Sequence, residues 1–148
     1  MKRFIWRLQR VLDIRTKEEQ KKTAELLEIT DKLVATRSEL LIKKKLLENI
    51  INELAAESPK KRLAKQEFFL AYSYTSNEQI KKLKEKINLL EIRQKDKIKE
   101  VLKVRRSKEG LERLRSEAKT QYIKEQEKLE QKELDDRATV SFVRSPRN

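Results

Sequence analysis

A seven-residue leucine repeat in the first third of the chain constrains its fold more than any other feature. Stepping by seven from residue 5 gives an aliphatic side chain at every position but one, in the series Ile5, Leu12, Glu19, Leu26, Leu33, Leu40, Leu47 and Leu54. Such a repeat keeps one face of a helix against a partner helix and imposes a left-handed supercoil. Because no Pro or Gly interrupts residues 1–58, we expect one helix of roughly 55 residues there, about 85 Å long at the α-helical rise.

The same pattern returns in the second half of the chain. Its seam consists of Ile80, Leu83, Ile87, Leu90, Gln94, Val101, Val104, Leu111, Ala118, Tyr122 and Leu129. Helical spacing continues to about Arg137, and two helices joined by a short break fold back on each other. The predicted fold is therefore all-α, a long two-helix antiparallel coiled-coil hairpin with a short aromatic-rich break near the bend.

Residues 57–77 mark the break between the two predicted helices. A helix is expected to end before Pro59, because the residue that precedes a proline disfavours the α region. The motif Thr75–Glu78 is a capping-box pattern, which is typical of a helix start. We therefore expect four segments, namely a first coiled-coil helix over 1–58, a bend with a short aromatic-rich helix over 59–77, a second coiled-coil helix over 78–137 and a flexible tail over 138–148.

Two further patterns concern the faces of the first helix. Charged residues interrupt its second seam position at Arg15, Lys22 and Lys43. Such residues weaken a zipper that pairs with itself, which favours the second helix of the same chain as the partner. A second apolar line, one residue past the leucine repeat, consists of Leu27, Val34 and Leu41. A widened core face and a docking surface are both open interpretations of this line.

The composition excludes most catalytic chemistry. The chain has 148 residues, 43% of them charged, with no Cys, no His and a single Gly. It therefore lacks the residues for a thiol nucleophile, an imidazole base, a zinc site of the usual kind or a glycine-rich phosphate loop. We expect neither an enzyme nor a bound cofactor or metal. No apolar run is long enough to span a bilayer and no signal peptide is recognisable, so we expect a cytoplasmic protein.

Positive charge is concentrated in the middle of the chain. Residues 59–124 carry 20 basic and 9 acidic side chains. The candidate basic face consists of Arg93, Lys97, Arg105, Arg106 and Lys108. A solvated helix face, a surface for an acidic protein partner and a polyanion site are all open interpretations. We favour the acidic protein, and nucleic acid is the less expected ligand because the run lacks interleaved aromatic residues.

The first residues of the chain combine apolar and basic side chains. Phe4, Leu8 and Leu12 fall on one side of a helical wheel. This side is either the end of the coiled-coil seam or a segment that lies on an anionic membrane surface. Trp6 falls on the other side among basic residues, where contact with a partner and plain exposure are both open.

Short motifs near the two ends of the chain resemble a known family. The stretch Phe4–Arg15 is similar to the start of the FliJ family of flagellar export proteins, and Leu111–Leu114 followed by Glu130–Ala138 is similar to its closing pattern. Asp136 stands where that pattern usually has Glu. The resemblance covers essentially the whole chain in length and layout.

The resemblance implies a soluble, non-catalytic component of the flagellar type III export apparatus. Members of the family form a two-helix antiparallel coiled coil similar to the central stalk of rotary ATPases. The implied partners are the export ATPase of FliI type, the cytoplasmic domain of the export gate protein of FlhA type, and export chaperones. The implied location is the cytoplasm, peripheral to the inner membrane at the flagellar base.

The expected hairpin suggests a place for each contact. Both chain termini lie at one of its ends, and the candidate surface facing the ATPase there consists of Arg3, Trp6, Arg10, Gln131, Leu134 and Asp135. The opposite end carries the candidate contact for the export gate, made of Phe68, Phe69, Tyr72 and Tyr74. Aromatic anchors of this kind dominate binding at many interfaces. Simple packing at the bend is the alternative role for these aromatic residues.

Four other functions compete with this hypothesis. They are the equivalent stalk protein of a virulence type III secretion system, a stalk or rotor subunit of a rotary ATPase, a basic coiled coil that binds polyanions or an anionic membrane surface, and a homo-oligomeric scaffold. Binding that falls steeply with salt would indicate the third. A dimer in light scattering would indicate the fourth.

Overall fold

The computed structural model describes residues 2–144, and nearly all of them are helical. Helix α1 comprises Gln9–Ala56 and helix α2 comprises Pro59–Arg144. The two helices pack against each other, and no strand occurs among the described residues. The prediction of an all-α helical hairpin is therefore confirmed. Over the same residues, no helix is long and apolar enough to cross a membrane.

Contacts divide the chain into two compact units. Among the described residues, those up to Gln20 together with those from Leu102 to Arg144 form one, which we call the terminal unit. Lys21–Val101 form the other, which we call the middle unit. Both helices contribute residues to each unit.

The leucine repeat of α1 faces α2. From Leu12 to Leu54, every position of the series is buried or half-buried. The best-covered position is Leu33, which is 1% exposed and packs with Ile87 and Leu90 in the middle unit. The seven-residue spacing therefore identified the buried face of α1 correctly.

Pairs of residues across the middle unit show that the helices run in opposite directions. Lys97 Nζ lies 2.7 Å from Glu25 Oε2. Further along α1, Arg37 Nη2 lies 2.9 Å from Glu91 Oε1. Residue numbers on α2 fall as those on α1 rise, which is the antiparallel order predicted from the two heptad series.

The connection between the helices is short, and one arginine side chain forms hydrogen bonds to the end of α1. The Arg62 guanidinium donates from Nη2 to the carbonyl oxygens of Ala55 and Glu57, both at 3.0 Å. These bonds satisfy carbonyl groups that the end of α1 would otherwise leave without a partner. The backbone N–H of Arg62 donates to the Ser58 carbonyl oxygen at 2.8 Å and opens α2. Pro59 fits this first turn because its missing N–H is not needed there.

Helix α2 runs without interruption through 59–77, where the sequence predicted a short separate helix. The Thr75 hydroxyl does not cap a new helix but donates to the Ala71 carbonyl oxygen at 3.2 Å, one turn back in the same helix. Hydroxyl side chains make such bonds as readily as caps. Since no Gly or Pro follows Pro59 in this segment, nothing forces the helix to break.

The C-terminal boundary also differs from the prediction. Residues 138–144, which were expected to begin a flexible tail, belong to α2. The Thr139 hydroxyl donates to the Asp135 carbonyl oxygen at 2.9 Å, a bond to the preceding turn that occurs inside a helix. Residues 145–148 of the predicted tail lie outside the described residues.

At the other terminus, α1 begins at Gln9 rather than at the start of the chain. Residues 2–8 lie outside the helix, so the heptad spacing does not set their orientation. Ile5, the first residue of the predicted seam, is 84% exposed. Phe4 contacts α2 instead, with its ring 5.4 Å from that of Tyr122.

Replacing Leu33 by Ala tests whether the seam holds the middle unit together. Because the side chain is 1% exposed, Leu33→Ala should lower the free energy of unfolding by about 2–5 kcal/mol. Urea unfolding followed by circular dichroism measures the change. Leu27→Ala is the matched control, since Leu27 is 61% exposed on the same helix and its loss should cost less than about 1 kcal/mol. Equal losses in the two variants would contradict a seam centred on Leu33.

Candidate functional site

The one polar residue of the leucine repeat is held by two cations of the predicted basic face. In the terminal unit, Arg105 Nε lies 3.2 Å from Glu19 Oε1, and Lys108 Nζ lies 3.0 Å from Glu19 Oε2. The Glu19 side chain is only 15% exposed. The Lys108 ammonium, and after it the Arg105 guanidinium, holds the pKa of Glu19 below its ordinary value. The bond with Glu19 in turn raises the pKa of Lys108.

A second ionic cluster joins the helices in the middle unit. Lys97 Nζ lies 2.7 Å from Glu25 Oε2 and 2.9 Å from Glu100 Oε2, and Lys22 Nζ lies 3.3 Å from the same Glu100 oxygen. Hydrogen bonds from Lys97 lower the pKa of Glu25 and of Glu100, and those carboxylates raise the pKa of Lys97. Positive and negative side chains therefore alternate across the seam, and the carboxylates balance the charges of Lys22 and Lys97.

The predicted basic face is divided between two roles as a result. Lys97, Arg105 and Lys108 bind carboxylates of α1. Arg93 in the middle unit and Arg106 in the terminal unit are exposed. Part of the positive charge therefore contributes to pairing the helices, and only the remainder faces solvent for an acidic partner.

Aromatic residues near the start of α2 form an exposed group in the middle unit. This aromatic cluster consists of Phe68, Phe69, Tyr72 and Tyr74. The Phe68 and Tyr72 rings stack with centroids 6.4 Å apart. Phe68 and Tyr74 are each 72% exposed, whereas Phe69 and Tyr72 are half-buried. Phe69 and Tyr72 are thus partly covered within the fold, whereas Phe68 and Tyr74 present most of their surface to solvent.

A cavity of about 310 Å³ opens beside the aromatic cluster. It is lined by the apolar residues Ile50, Leu54, Ala64, Phe68 and Phe69, and by Glu53, Glu57 and Lys65. Of the charged residues, Glu57 and Lys65 bind each other at 2.6 Å. An apolar cavity with a few polar groups at its border suits an apolar side chain of a partner.

An aromatic and cationic group holds the N-terminal segment on α2 in the terminal unit. The Arg115 guanidinium lies 5.7 Å from the centre of the Phe4 ring, which packs on Tyr122. Arg115 also donates from Nε to Gln9 Oε1 at 2.7 Å, and the Tyr122 hydroxyl donates to the Lys2 carbonyl oxygen. The segment 2–8 therefore covers α2 as far as Tyr122.

The two halves of the predicted ATPase-facing surface are separated along α2. One half consists of exposed Arg3 and half-buried Trp6 on the N-terminal segment and of exposed Arg10 in the first turn of α1. The other half consists of Gln131, Leu134 and Asp135, all exposed. Gln131 lies about 14 Å beyond Tyr122 at the helical rise, and its Nε2 donates to Asp135 Oδ1 within α2 at 3.2 Å. The structure does not bring the two halves together.

The C-terminal part of α2, residues 123–144, extends past the N-terminal segment. We call it the C-terminal extension. All of its residues except Gln126 are exposed. Its exposed large apolar side chains are Ile123, Leu129, Leu134, Val140, Phe142 and Val143. The sequence predicted this helix as far as Arg137, with Leu129 in its seam, and missed both the exposure of this part and the helical residues 138–144. The absence of Gly and Pro from residues 111–144 is a signal for a long uninterrupted helix.

The ionic clusters should make the fold less stable at acid pH. The pKa of Glu19 in the folded chain lies below its ordinary value of 4.5, so the stability it contributes is present above that value and is lost as the pH falls through the folded pKa. Glu19→Gln should therefore be less stable than the unmodified chain at neutral pH but lose less stability between about pH 5 and pH 2. Thermal unfolding at a series of pH values measures this.

Glu117→Gln is the control for this measurement, because Glu117 is exposed on α2 in the same unit. Its pH profile should follow that of the unmodified chain. A Glu19→Gln profile parallel to that of the unmodified chain over the whole acid range would contradict the assigned ion pairs.

Comparison with known proteins identifies the family. A family model described as flagellar FliJ protein matches residues 3–147. The searches of curated proteins and of solved structures gave no match. The family match covers nearly the whole chain, including both helices and the two motifs that resembled this family. The chain therefore belongs to the FliJ family, whose members are non-catalytic components of the flagellar export apparatus.

Proposed function

We propose that the chain serves flagellar export as an adaptor that binds other export proteins at two separate surfaces. The export ATPase of FliI type is the proposed partner of the terminal unit. The export gate protein of FlhA type is the proposed partner of the aromatic cluster. The observation that carries the proposal is the C-terminal extension, because an exposed helix with apolar side chains is stabilised by contact with another protein.

The composition of the C-terminal extension supports an apolar contact with the ATPase. Leu129 is 54% exposed, Leu134 57% and Phe142 73%. Residues 123–144 carry six acidic and five basic side chains, so their net charge is too small to bind a partner by attraction alone. Buried leucine and phenylalanine side chains would then supply most of the affinity. Arg3, Trp6 and Arg10 form a second, separate contact in this proposal.

The aromatic cluster supports the contact with the gate. Phe68 and Tyr74 expose most of their surface, and aromatic residues of this kind bury a large area at little cost in conformational entropy. The cavity beside Phe68 offers a place for one apolar side chain of the gate domain. Stacking on Tyr72 holds the Phe68 ring in position for that contact.

Export chaperones are the third proposed class of partner. In this proposal they meet the chain while it is bound at the cytoplasmic face of the inner membrane, where it is a peripheral component. Protein partners are favoured over polyanions because Lys97, Arg105 and Lys108 already bind carboxylates. Charge that is paired in this way releases few counterions on contact with a polyanion.

The contact with the ATPase is tested by placing a charge in the C-terminal extension. Leu134→Asp should weaken association with the cognate export ATPase at least about tenfold, because a carboxylate would have to be buried at the interface. Leu89→Asp is the matched control, since Leu89 is 58% exposed in the middle unit. Isothermal titration calorimetry gives the affinities, and ATPase assays show whether the chain changes the rate. No association of the unmodified chain, or equal weakening by both variants, would contradict the proposal.

The contact with the gate is tested by truncating one exposed ring. Phe68→Ala should weaken binding to the cytoplasmic domain of the gate about tenfold and leave helicity and melting temperature unchanged. Phe142→Ala is the matched control, because Phe142 is 73% exposed in the terminal unit. Phe69→Ala and Tyr72→Ala report on packing. If Phe68→Ala lowers the melting temperature as far as Phe69→Ala does, the cluster is internal packing and the gate contact is wrong.

A further inference from the structure

The second apolar line of α1 lies on the surface of the middle unit. Leu27 is 61% exposed, Val34 56% and Leu41 68%. The adjacent leucine repeat forms the seam with α2, so these residues do not widen the core. Of the two interpretations that the sequence left open, the structure removes the first. An exposed apolar residue at every seventh position forms a continuous line on one face of a helix.

The ion pair between Arg37 and Glu91 shows which face of α2 adjoins this line. Arg37 is three residues from Val34 and four from Leu41, so it lies beside both on α1. It binds Glu91 at 2.9 Å. Residues seven positions from Glu91 share its face of α2, and one of them is Ile98, which is 39% exposed. The apolar line of α1 and the Glu91 face of α2 therefore lie on the same side of the middle unit, with the Arg37–Glu91 pair between them, and we call this surface the groove.

The α2 side of this groove is positively charged. Lys84 lies seven residues before Glu91 and Lys95 four residues after it, and both are exposed. Lys81, three residues before Lys84, is exposed beside them. Glu91 itself is already paired with Arg37. The groove thus combines an exposed apolar line on α1 with a row of exposed lysines along α2.

We propose that this groove binds an amphipathic helix of a partner protein that carries apolar residues at heptad spacing and acidic residues on its flanks. Leu27 and Leu41 are 14 residues apart, so about 21 Å of partner helix, or four turns, would cover the line. The leucines would pack as in a third strand of a coiled coil, and the lysines would bind the acidic flank. This proposal does not depend on which export protein binds at either end.

Charge argues against a second copy of this chain as the occupant. The middle unit carries 19 basic and 13 acidic side chains, so two such units would repel each other at a shared face. An anionic membrane is also disfavoured. The apolar line is only one residue wide, whereas a helix that lies on a membrane surface buries a broad apolar face.

A synthetic peptide tests the proposal directly. The probe is a labelled peptide of about 20 residues with leucine at the seam positions of a heptad and glutamate on the flanks. A control peptide has the same composition in scrambled order, so that its leucines do not align on one face. Fluorescence anisotropy with the full chain should show binding of the first peptide and at least about tenfold weaker binding of the second. Equal binding of the two would overturn the proposal, because it would mean attraction by charge alone.

Variants of exposed residues locate the site. Leu41→Ser should weaken binding of the amphipathic peptide about tenfold, and Lys84→Glu should weaken it with a smaller dependence on salt. Leu89→Ser is the matched control for Leu41→Ser, since Leu89 is an exposed leucine two residues before Glu91 and off its face of α2. Leu27→Ser is a second variant of the groove, and circular dichroism checks that each variant keeps its helicity. Weakening by Leu89→Ser equal to that by Leu41→Ser would overturn the assignment.

Two further measurements decide between the occupants. Light scattering across a range of concentrations should show a monomer for the unmodified chain. A dimer that Leu41→Ser dissociates would mean that a second copy fills the groove. Vesicles of anionic phospholipid should not displace the bound peptide. If they do displace it, and Leu41→Ser abolishes that effect, the groove binds a membrane surface instead.

Discussion

Over most of the described residues, the two helices have only each other to cover their seam, and this constraint governs the rest of the structure. Each seam residue must be satisfied by the opposite helix. Apolar positions meet this demand by packing, as Leu33 does against Ile87 and Leu90. Some charged positions meet it by pairing with the other sign on the opposite helix, as Glu19 does with Arg105 and Lys108. The apolar layers supply the stability, and the ionic layers select the register.

Selection of the register follows from the cost of a half-buried charge that has lost its partner. Because the apolar residues of both seams recur every seven positions, sliding α2 by one heptad would keep several of them opposite one another, so apolar packing discriminates only partly between registers. The same slide would separate Lys97 from Glu25 and leave both at the seam, which is costly for groups that are partly removed from water. Each of these pairs adds no net charge, so the net charge of +13 comes from cations beyond those that are paired across the seam.

The sequence predicted the hairpin and its buried face because both depend on a period of seven, which survives local variation. Helix boundaries depend instead on single hydrogen bonds, for which several partners compete. Thr75 was expected to cap a new helix, yet its hydroxyl bonds to the Ala71 carbonyl and α2 continues. Ile5 fits the heptad but lies outside α1, so Phe4 takes the contact with α2. Composition alone does not distinguish these outcomes.

The candidate sites were also predictable to different degrees, because some depend only on spacing within one helix and others depend on where the helices end. The four aromatic residues lie within seven positions of one helix, so any helical structure brings them together, and their exposure is what the structure adds. The proposed ATPase surface combined residues from two segments, and these lie close together only if the two helices end at the same level. Since Gln131 lies beyond Tyr122 on α2, the two halves are apart. The basic face depended on partners across the seam, which only the register reveals.

The surplus of α2 over α1 connects these features to function. α1 has 48 residues and α2 has 86, and residues in excess of the pairing have no internal partner for their apolar side chains. Such a surplus is costly for an isolated protein, because exposed leucine and phenylalanine favour aggregation. It becomes favourable when another protein covers it. The exposure of Leu129, Leu134 and Phe142 on one long helix is therefore best explained, in our proposal, by other export proteins that cover these side chains.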